Sequence, residues 1–306
     1  MDSLHDLVRR GLVRAAVAGL VDLIADPATT SQDAAVATAM LAECHLAQGE
    51  LGAALALADD LTEADDLARA HHALGELASA TGEPELAVER FRAAAGGSGA
   101  DDLLVPWRAG AALALLRTGQ RVEALALARA QHDLAVATGA AYDVALALRV
   151  LATTDPSVEA ASQRVPRLRT ALQLLDGVEA ARLRAQIETD LAGLLVLTGD
   201  DAEALALLRS AEAYAAREDL WPLQSRVRRL LDRMGEAPRR AQSEALAALT
   251  AAERRVALLA LDGLTNRQIA EHLLVSVKAV EGHLSRVYRK LGLSSRAALT
   301  AALAPA

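Results

Sequence analysis

Lys278, Gly282, Ser285 and Arg289 recur at steps of four, three and four residues, the spacing that gathers side chains on one face of a helix. Glu281, His283, Arg286 and Lys290 flank them. These residue types suit one kind of chemistry. Lysine and arginine neutralise phosphates. Serine and glycine keep the middle of the face small, so a helix backbone can come close to the edges of bases. A glutamate can accept a hydrogen bond from the amino group of cytosine. Gly282 costs about 1 kcal/mol against alanine in a helix interior, so its smallness calls for a reason. A merely solvated helix face with a tolerated glycine would show the same pattern.

The elements that must position this face can be drawn from start and stop signals. Val277, Val280, Leu284, Val287 and Leu291 form the opposite, apolar stripe, with Tyr288 at its margin. They are expected to pack on Ile269, Ala270, Leu273, Val256 and Leu259. Thr250 with Glu253, and Thr265 with Gln268, have the spacing of capping boxes. Ser276 caps a longer helix of about 15 residues that Gly292 stops, and Gly263 ends the helix begun at Thr250. A short helix, a tight turn and a longer helix make a helix-turn-helix, whose second helix enters the DNA major groove.

Residues 249–303 resemble the C-terminal DNA-binding domain of LuxR-type transcription regulators. The resemblance rests on Leu249-Thr250…Glu253, Gly263-Leu264-Thr265-Asn266…Gln268-Ile269-Ala270, Leu274…Ser276…Lys278…Val280…His283-Leu284 and Arg289-Lys290-Leu291-Gly292…Ser295-Arg296. It implies a partner, double-stranded DNA, and a homodimer assembled through a fourth helix at about Ser295–Leu303. Carried onto this chain, Lys278, Arg286, Arg289 and Lys290 would attract phosphates, and Glu281 and Ser285 would meet base edges. Thr265, Asn266 and Arg267 would hold the flanking backbone. The chain departs from the family at Ala279, where threonine is usual, and at Glu281 and Gly282, where lysine and asparagine are frequent.

Charge divides the chain the same way. Residues 250–306 carry 8 Lys+Arg and 4 Asp+Glu, a net of +4, and the remainder carries 24 and 36, a net of −12. Lys278 and Lys290 are the only lysines of the chain. An acidic body with a basic tail assigns nucleic acid to the tail. The single cysteine, Cys44, forms no internal disulfide and fits a reducing, cytoplasmic setting. No apolar run is long enough to span a membrane. The chain has no Gly-x-x-x-x-Gly-Lys-Ser/Thr sequence and no ordered nucleophile–base grouping, so no cofactor and no enzyme activity is expected. Cys44-His45 and His71-His72 are adjacent pairs that point apart on a helix, which is poor zinc spacing, so no metal is expected.

The remaining chain reads as helix after helix, an all-α fold with no period-two strands. Gly49, Gly119 and Gly199 are each followed five residues later by Ala-Leu-Ala-Leu, and Gly82 with Ala87 and Asp155 with Ala160 are weaker copies. Successive intervals are 33, 37, 36 and 44 residues. Units of about 34 residues resemble tetratricopeptide-like helical hairpins, which stack because one hairpin cannot bury its own apolar face. An irregular helical bundle is the alternative. Expected hairpins are 31–61, 63–96, 101–138, 141–175 and 179–217, after one leading helix over 3–25 and before a closing helix over 219–234. The expected layout is thus a helical-repeat body, 1–234, a linker, 235–248, and the helix-turn-helix domain, 249–306. It is similar to the C-terminal half of the large MalT-like, ATP-binding LuxR regulators, whose N-terminal NTPase module has no counterpart here. The chain is therefore expected to be either a shortened relative or a fragment. The body would sense a protein or small-molecule effector. A protein-docking scaffold, with the tail kept for dimerisation alone, is the competing reading.

Overall fold

A computed structural model describes residues 2–64, 67–96, 105–155, 158–235, 246–261, 263–273 and 275–303. Residues 236–245 of the expected linker, the side chains of Ala160 and Leu274, and Asp65, Asp66, Asp101 and Asp102 lie outside them. Among the described residues the regular structure is α-helical. The chain divides into two compact units, Met1–Leu223 and Gln224–Ala306.

The first unit is built of helical hairpins. They are α6 (Ala68–Thr81) with α7 (Pro84–Gly96), α8 (Trp107–Arg117) with α9 (Arg121–Thr138), α10 (Ala141–Thr154) with α11 (Val158–Leu174), and α12 (Ala181–Thr198) with α13 (Asp201–Arg217). Before them come α1 (Asp2–Arg10), α2 (Val13–Ala25), α3 (Ser31–Gln48), α4 (Leu51–Leu55) and α5 (Ala58–Glu63). The alanine five residues after each marker glycine has one job throughout: Ala54, Ala87, Ala124 and Ala204 are all fully buried. One and two turns further on, Phe91 and Ala94, Ala128 and Gln131, and Leu208 and Ala211 are buried too. Alanine at the contact lets the two helices of a hairpin approach closely. The bulky exception is Phe91, which sits in a notch made by Gly75 and Gly110. A Cβ on either glycine would lie 2.7 or 2.5 Å from the Phe91 ring.

Two elements differ from expectation. The leading segment is two helices rather than one, because the chain turns at Gly11 with φ +85°. A side chain there would strike the Arg182 backbone nitrogen at 2.6 Å, and the Gly11 carbonyl accepts a hydrogen bond from Tyr214 Oη at 2.7 Å. The second half of the 31–61 hairpin is likewise divided, into α4 and α5. Its buried anchor is Leu61, packed on Ala39, Ala42, Ala70, Ala73 and Leu74.

The Gly11 contact shows that the row of hairpins closes on itself. Arg9 Nη2 lies 2.9 Å from Asp143 Oδ2, Arg10 Nε lies 2.8 Å from Glu179 Oε2, and the Arg14 amide donates to Glu218 Oε2 at 3.2 Å. The start of the unit is therefore bonded to its last hairpins. Their first helices, α6, α8, α10 and α12, face inward together with α1 and α3. The helix α14 runs Trp221–Arg233, with Val227 and Leu231 buried.

The second unit holds α15 (Ala251–Leu261), α16 (Asn266–Leu273), α17 (Val277–Leu291) and α18 (Arg296–Leu303). Each boundary is made by the residues whose types demand it. The Thr250 amide donates to Glu253 Oε2 at 3.0 Å and the Glu253 amide to Thr250 Oγ1 at 3.3 Å. The second box repeats this with Thr265 and Gln268, at 2.8 and 3.3 Å. Ser276 Oγ accepts from the Ala279 amide at 3.2 Å, and Gly292 ends α17 at φ +67°.

Candidate nucleic-acid interface

The inner face of α17 is locked by Val280, Leu284 and Val287, which are 0, 4 and 0 % exposed. They pack among buried Ile269, Ala270, Val256 and Ala257. Val277, expected in the same stripe, is 40 % exposed, because it is the first helical residue and lies at the margin of the face that Val280 leads. Burying three apolar side chains contributes roughly 1.5–3 kcal/mol each, enough to fix which side of α17 faces outward.

That outward side carries the predicted residues. Lys278, Glu281, Ser285, Arg286, Arg289 and Lys290 are exposed, and Ala279 and Gly282 are half-buried. Among the described residues neither Lys278 nor Arg289 has a carboxylate or hydrogen-bond partner. No heavy atom lies within 4 Å of where a Gly282 Cβ would be, so nothing inside the protein requires glycine there. Ser285 Oγ donates to the Glu281 carbonyl at 2.9 Å, which turns the hydroxyl oxygen outward as an acceptor. Thr265 and Arg267 are exposed at the start of α16, where Arg267 Nε lies 3.3 Å from Glu271 Oε1.

Two of the predicted cations are held by the protein itself. Lys290 Nζ lies 2.7 Å from Glu253 Oε2, and Arg286 Nε lies 3.7 Å from Glu253 Oε1. Glu253 thus has a second role besides capping. Burial by itself would raise its carboxyl, but the bonds from Lys290 and from the Thr250 amide outweigh that and hold it below the ordinary range. Arg286 Nη2 also lies 3.0 Å from His283 Nδ1. Burial and the Arg286 charge lower the His283 pKa, so the ring accepts this bond as neutral imidazole. The flank of α17 nearer α15 is therefore charge-paired, while the crest of Lys278, Gly282, Ser285 and Arg289 is unpaired.

Sequence reading misses two positioning arginines. Arg296 Nη2 donates to the Ala260 carbonyl at 2.9 Å and to the Leu264 carbonyl, and its Nη1 to Asn266 Oδ1 at 3.4 Å. It pins the turn before α16 and engages Asn266, itself a predicted contact. Arg254, only 6 % exposed, donates to the carbonyls of Leu246 and Leu249 at 3.1 and 2.8 Å. Arg296 reaches carbonyls 36 and 32 residues earlier, and Arg254 bonds carbonyls eight and five residues earlier in the segment before α15, so neither falls at a helix-face or capping spacing.

Among the described residues no group of three or more His, Cys, Asp or Glu could hold a metal ion, and no helix is long and apolar enough to cross a membrane. Cys44 is fully buried, which pushes its thiol up to about 12.

Comparison with known proteins follows the same division. Residues 247–303 match the profile of the bacterial regulatory proteins of the luxR family. Over 65 residues, 21 % of this chain, the sequence is 43 % identical to an HTH-type transcriptional regulator of Mycobacterium bovis. Similar regulators from two strains of Mycobacterium tuberculosis match at the same level. The matched stretch is 7 % of the length of these relatives. A longer match, 31 % identical over 163 residues, takes in 46 % of this chain and 75 % of the DNA-binding transcriptional activator DevR/DosR of Mycobacterium tuberculosis. With that coverage, and with the helix-turn-helix built as its caps dictate, the chain belongs to the LuxR family of bacterial regulatory proteins.

Proposed function

We propose that the protein is a cytoplasmic DNA-binding transcription regulator whose α17 enters the major groove. The observation that carries this reading is the unpaired crest of Lys278, Gly282, Ser285 and Arg289, held outward by the buried Val280, Leu284 and Val287. Lys278 and Arg289 stand eleven residues apart on the helix, about 16 Å at 1.5 Å per residue, and flank a small centre that admits base edges. Glu281 and Ser285 read bases. Lys290 and Arg286 reach phosphates on the flank, and Thr265, Asn266 and Arg267 steady the backbone beside them. Two copies bind an inverted repeat, paired through α18. The tetratricopeptide-like body senses an effector and governs whether the tails pair.

The test is binding of the full chain to duplex DNA drawn from a random pool, followed over a salt series. Each phosphate neutralised adds about 0.9 to the slope of log K against log salt. Lys278→Ala with Arg289→Ala is expected to lower the slope by about 2 and weaken binding at least tenfold. Unchanged affinity and slope would refute the reading.

A further inference from the structure

The inner helices of the first unit line a solvent-open cavity of about 680 Å³, within the range that takes small organic molecules. All of its lining lies between His5 and Leu223, so it belongs to the first unit alone. That unit is acidic, yet Arg9, Arg69, Arg149 and Arg182 all line this one space.

Three of these arginines crowd one end. The Tyr142 hydroxyl is raised mainly by burial, and the charges that act on it in the opposite sense are those of Arg182, Arg9 and Arg69. The guanidinium of Arg9 lies 4.2 Å over the Tyr142 ring. Two of the three charges are neutralised. Arg9 Nη2 donates to both oxygens of Asp143, at 3.0 and 2.9 Å. Arg69 Nη2 donates to Glu43 Oε2 at 2.7 Å, and His72 Nδ1 lies 3.0 Å from the other oxygen of Glu43. Arg182, half-buried, has no hydrogen bond or ion pair among the described residues, and neither does the Tyr142 hydroxyl. The Arg182 guanidinium is therefore the lining cation left without a carboxylate partner among the described residues, with a phenol donor beside it. Gln186, one turn along α12 from Arg182, also lines the space; its Oε1 accepts from Arg149 at 3.2 Å, which leaves its amide nitrogen as a further donor. Arg149 is matched by Asp190 at 2.6 Å.

The remaining lining is largely apolar, with Leu113, Leu146, Val150 and Leu183 as its larger members. Of the lining carboxylates, Asp6 pairs with Arg10 at 3.2 Å. Glu76 lies seven residues along α6 from Arg69, about 10 Å at 1.5 Å per residue, away from the cationic end.

We propose that this cavity is a binding site for a small organic carboxylate with an apolar body, its head held by Arg182 and Tyr142 and its tail lying among Leu113, Leu146 and Leu183. A guanidinium fork matches a carboxylate bidentately. One guanidinium without a carboxylate partner matches one anion, and the apolar walls exclude a wholly polar ligand. This deepens the sensing role proposed above by naming what is sensed, but binding itself needs no DNA.

Calorimetric titration of the full chain with octanoate, octan-1-ol and octylammonium tests it. Octanoate is expected to bind saturably, one per chain, at least tenfold tighter than either of the others. Arg182→Gln is expected to remove that preference, and Leu113→Trp, which fills the cavity, to abolish binding of all three. Should Arg182→Gln fail to fold, as its circular dichroism would show, Tyr142→Phe removes one donor and is expected to cost about threefold to tenfold. Octanoate binding no tighter than the alcohol, or retained in full by Arg182→Gln or Tyr142→Phe, would overturn the site. Saturable binding that leaves DNA affinity unchanged would uphold the site and overturn the sensing role. Binding that survives Lys278→Ala with Arg289→Ala would separate the cavity from the DNA reading.

Discussion

Replacing Gly282 by alanine should move stability and DNA affinity in opposite directions. The position is mid-helix in α17, and an added Cβ has no heavy atom within 4 Å. Alanine therefore meets no clash and recovers the helix propensity that glycine forfeits, about 0.8–1.0 kcal/mol. The gain arises in part from the unfolded chain, which loses freedom when glycine is removed. In a unit of this size that raises the unfolding midpoint by about 3–8 °C. On DNA the sign reverses. The methyl would project from the crest between Lys278 and Ser285, where the proposed reading brings the helix backbone against the groove floor. Overpacking a close contact costs roughly 1–3 kcal/mol, or about fivefold to a hundredfold in affinity. Because no charge is altered, the salt slope stays where it was. Differential scanning calorimetry of the full chain reads the first effect, and fluorescence anisotropy with a selected duplex reads the second. An alanine variant that is more stable and binds DNA as tightly as the parent would show that the glycine is merely tolerated, and the close-approach argument would fail.

Glu253→Gln keeps the capping geometry but removes the charge that holds Lys290 and Arg286. It should cost about 1 kcal/mol of stability in urea and steepen the salt slope of DNA binding by up to about 2, as Lys290 and Arg286, no longer shared with Glu253, engage phosphate fully. Gly11→Ala meets both the positive φ and the 2.6 Å approach to Arg182, so a loss of roughly 2–4 kcal/mol in urea unfolding of the first unit is expected. Glu43 gives the acid limb of the stability profile. Burial would raise its pKa, but Arg69 and His72 prevail and bring it from 4.5 to about 2. The unfolded chain thus binds a proton first as pH falls. The stabilisation is complete above about pH 4.5 and is lost as pH falls toward 2. Urea midpoints of the parent and of Glu43→Gln should therefore converge over that window, and a difference that persists below pH 2 would contradict the assignment.

What could be read in advance was whatever the chain encodes between near neighbours. The N-caps at Thr250, Thr265 and Ser276 are bonds across three residues, and a threonine or serine at that spacing has little else to do. The repeat of the first unit is also local. The alanine five residues past each marker glycine is set by how a hairpin turns, and Ala54, Ala87, Ala124 and Ala204 are buried accordingly. What resisted reading is carried by contacts between residues far apart. Gly11 looks like a tolerated glycine in a leading helix until Tyr214, 203 residues later, bonds its carbonyl. Lys290 looks free until Glu253, 37 residues earlier, is found beneath it. The same limit hides the cavity. Tyr142 and Arg182 sit on helices whose apolar patterning is unremarkable, and only the return of α1 to α12 brings Arg9 over the Tyr142 ring and completes the lining of one cavity. Closure also has an energetic consequence. A guanidinium on a flat surface would be solvated at little cost, whereas one half-buried in a cavity loses part of its water and gains from an anion. Opening the ring at Gly11 should therefore weaken carboxylate binding even though no lining residue is altered, which ties the fold's one left-handed N-terminal turn to the chemistry of the space it closes.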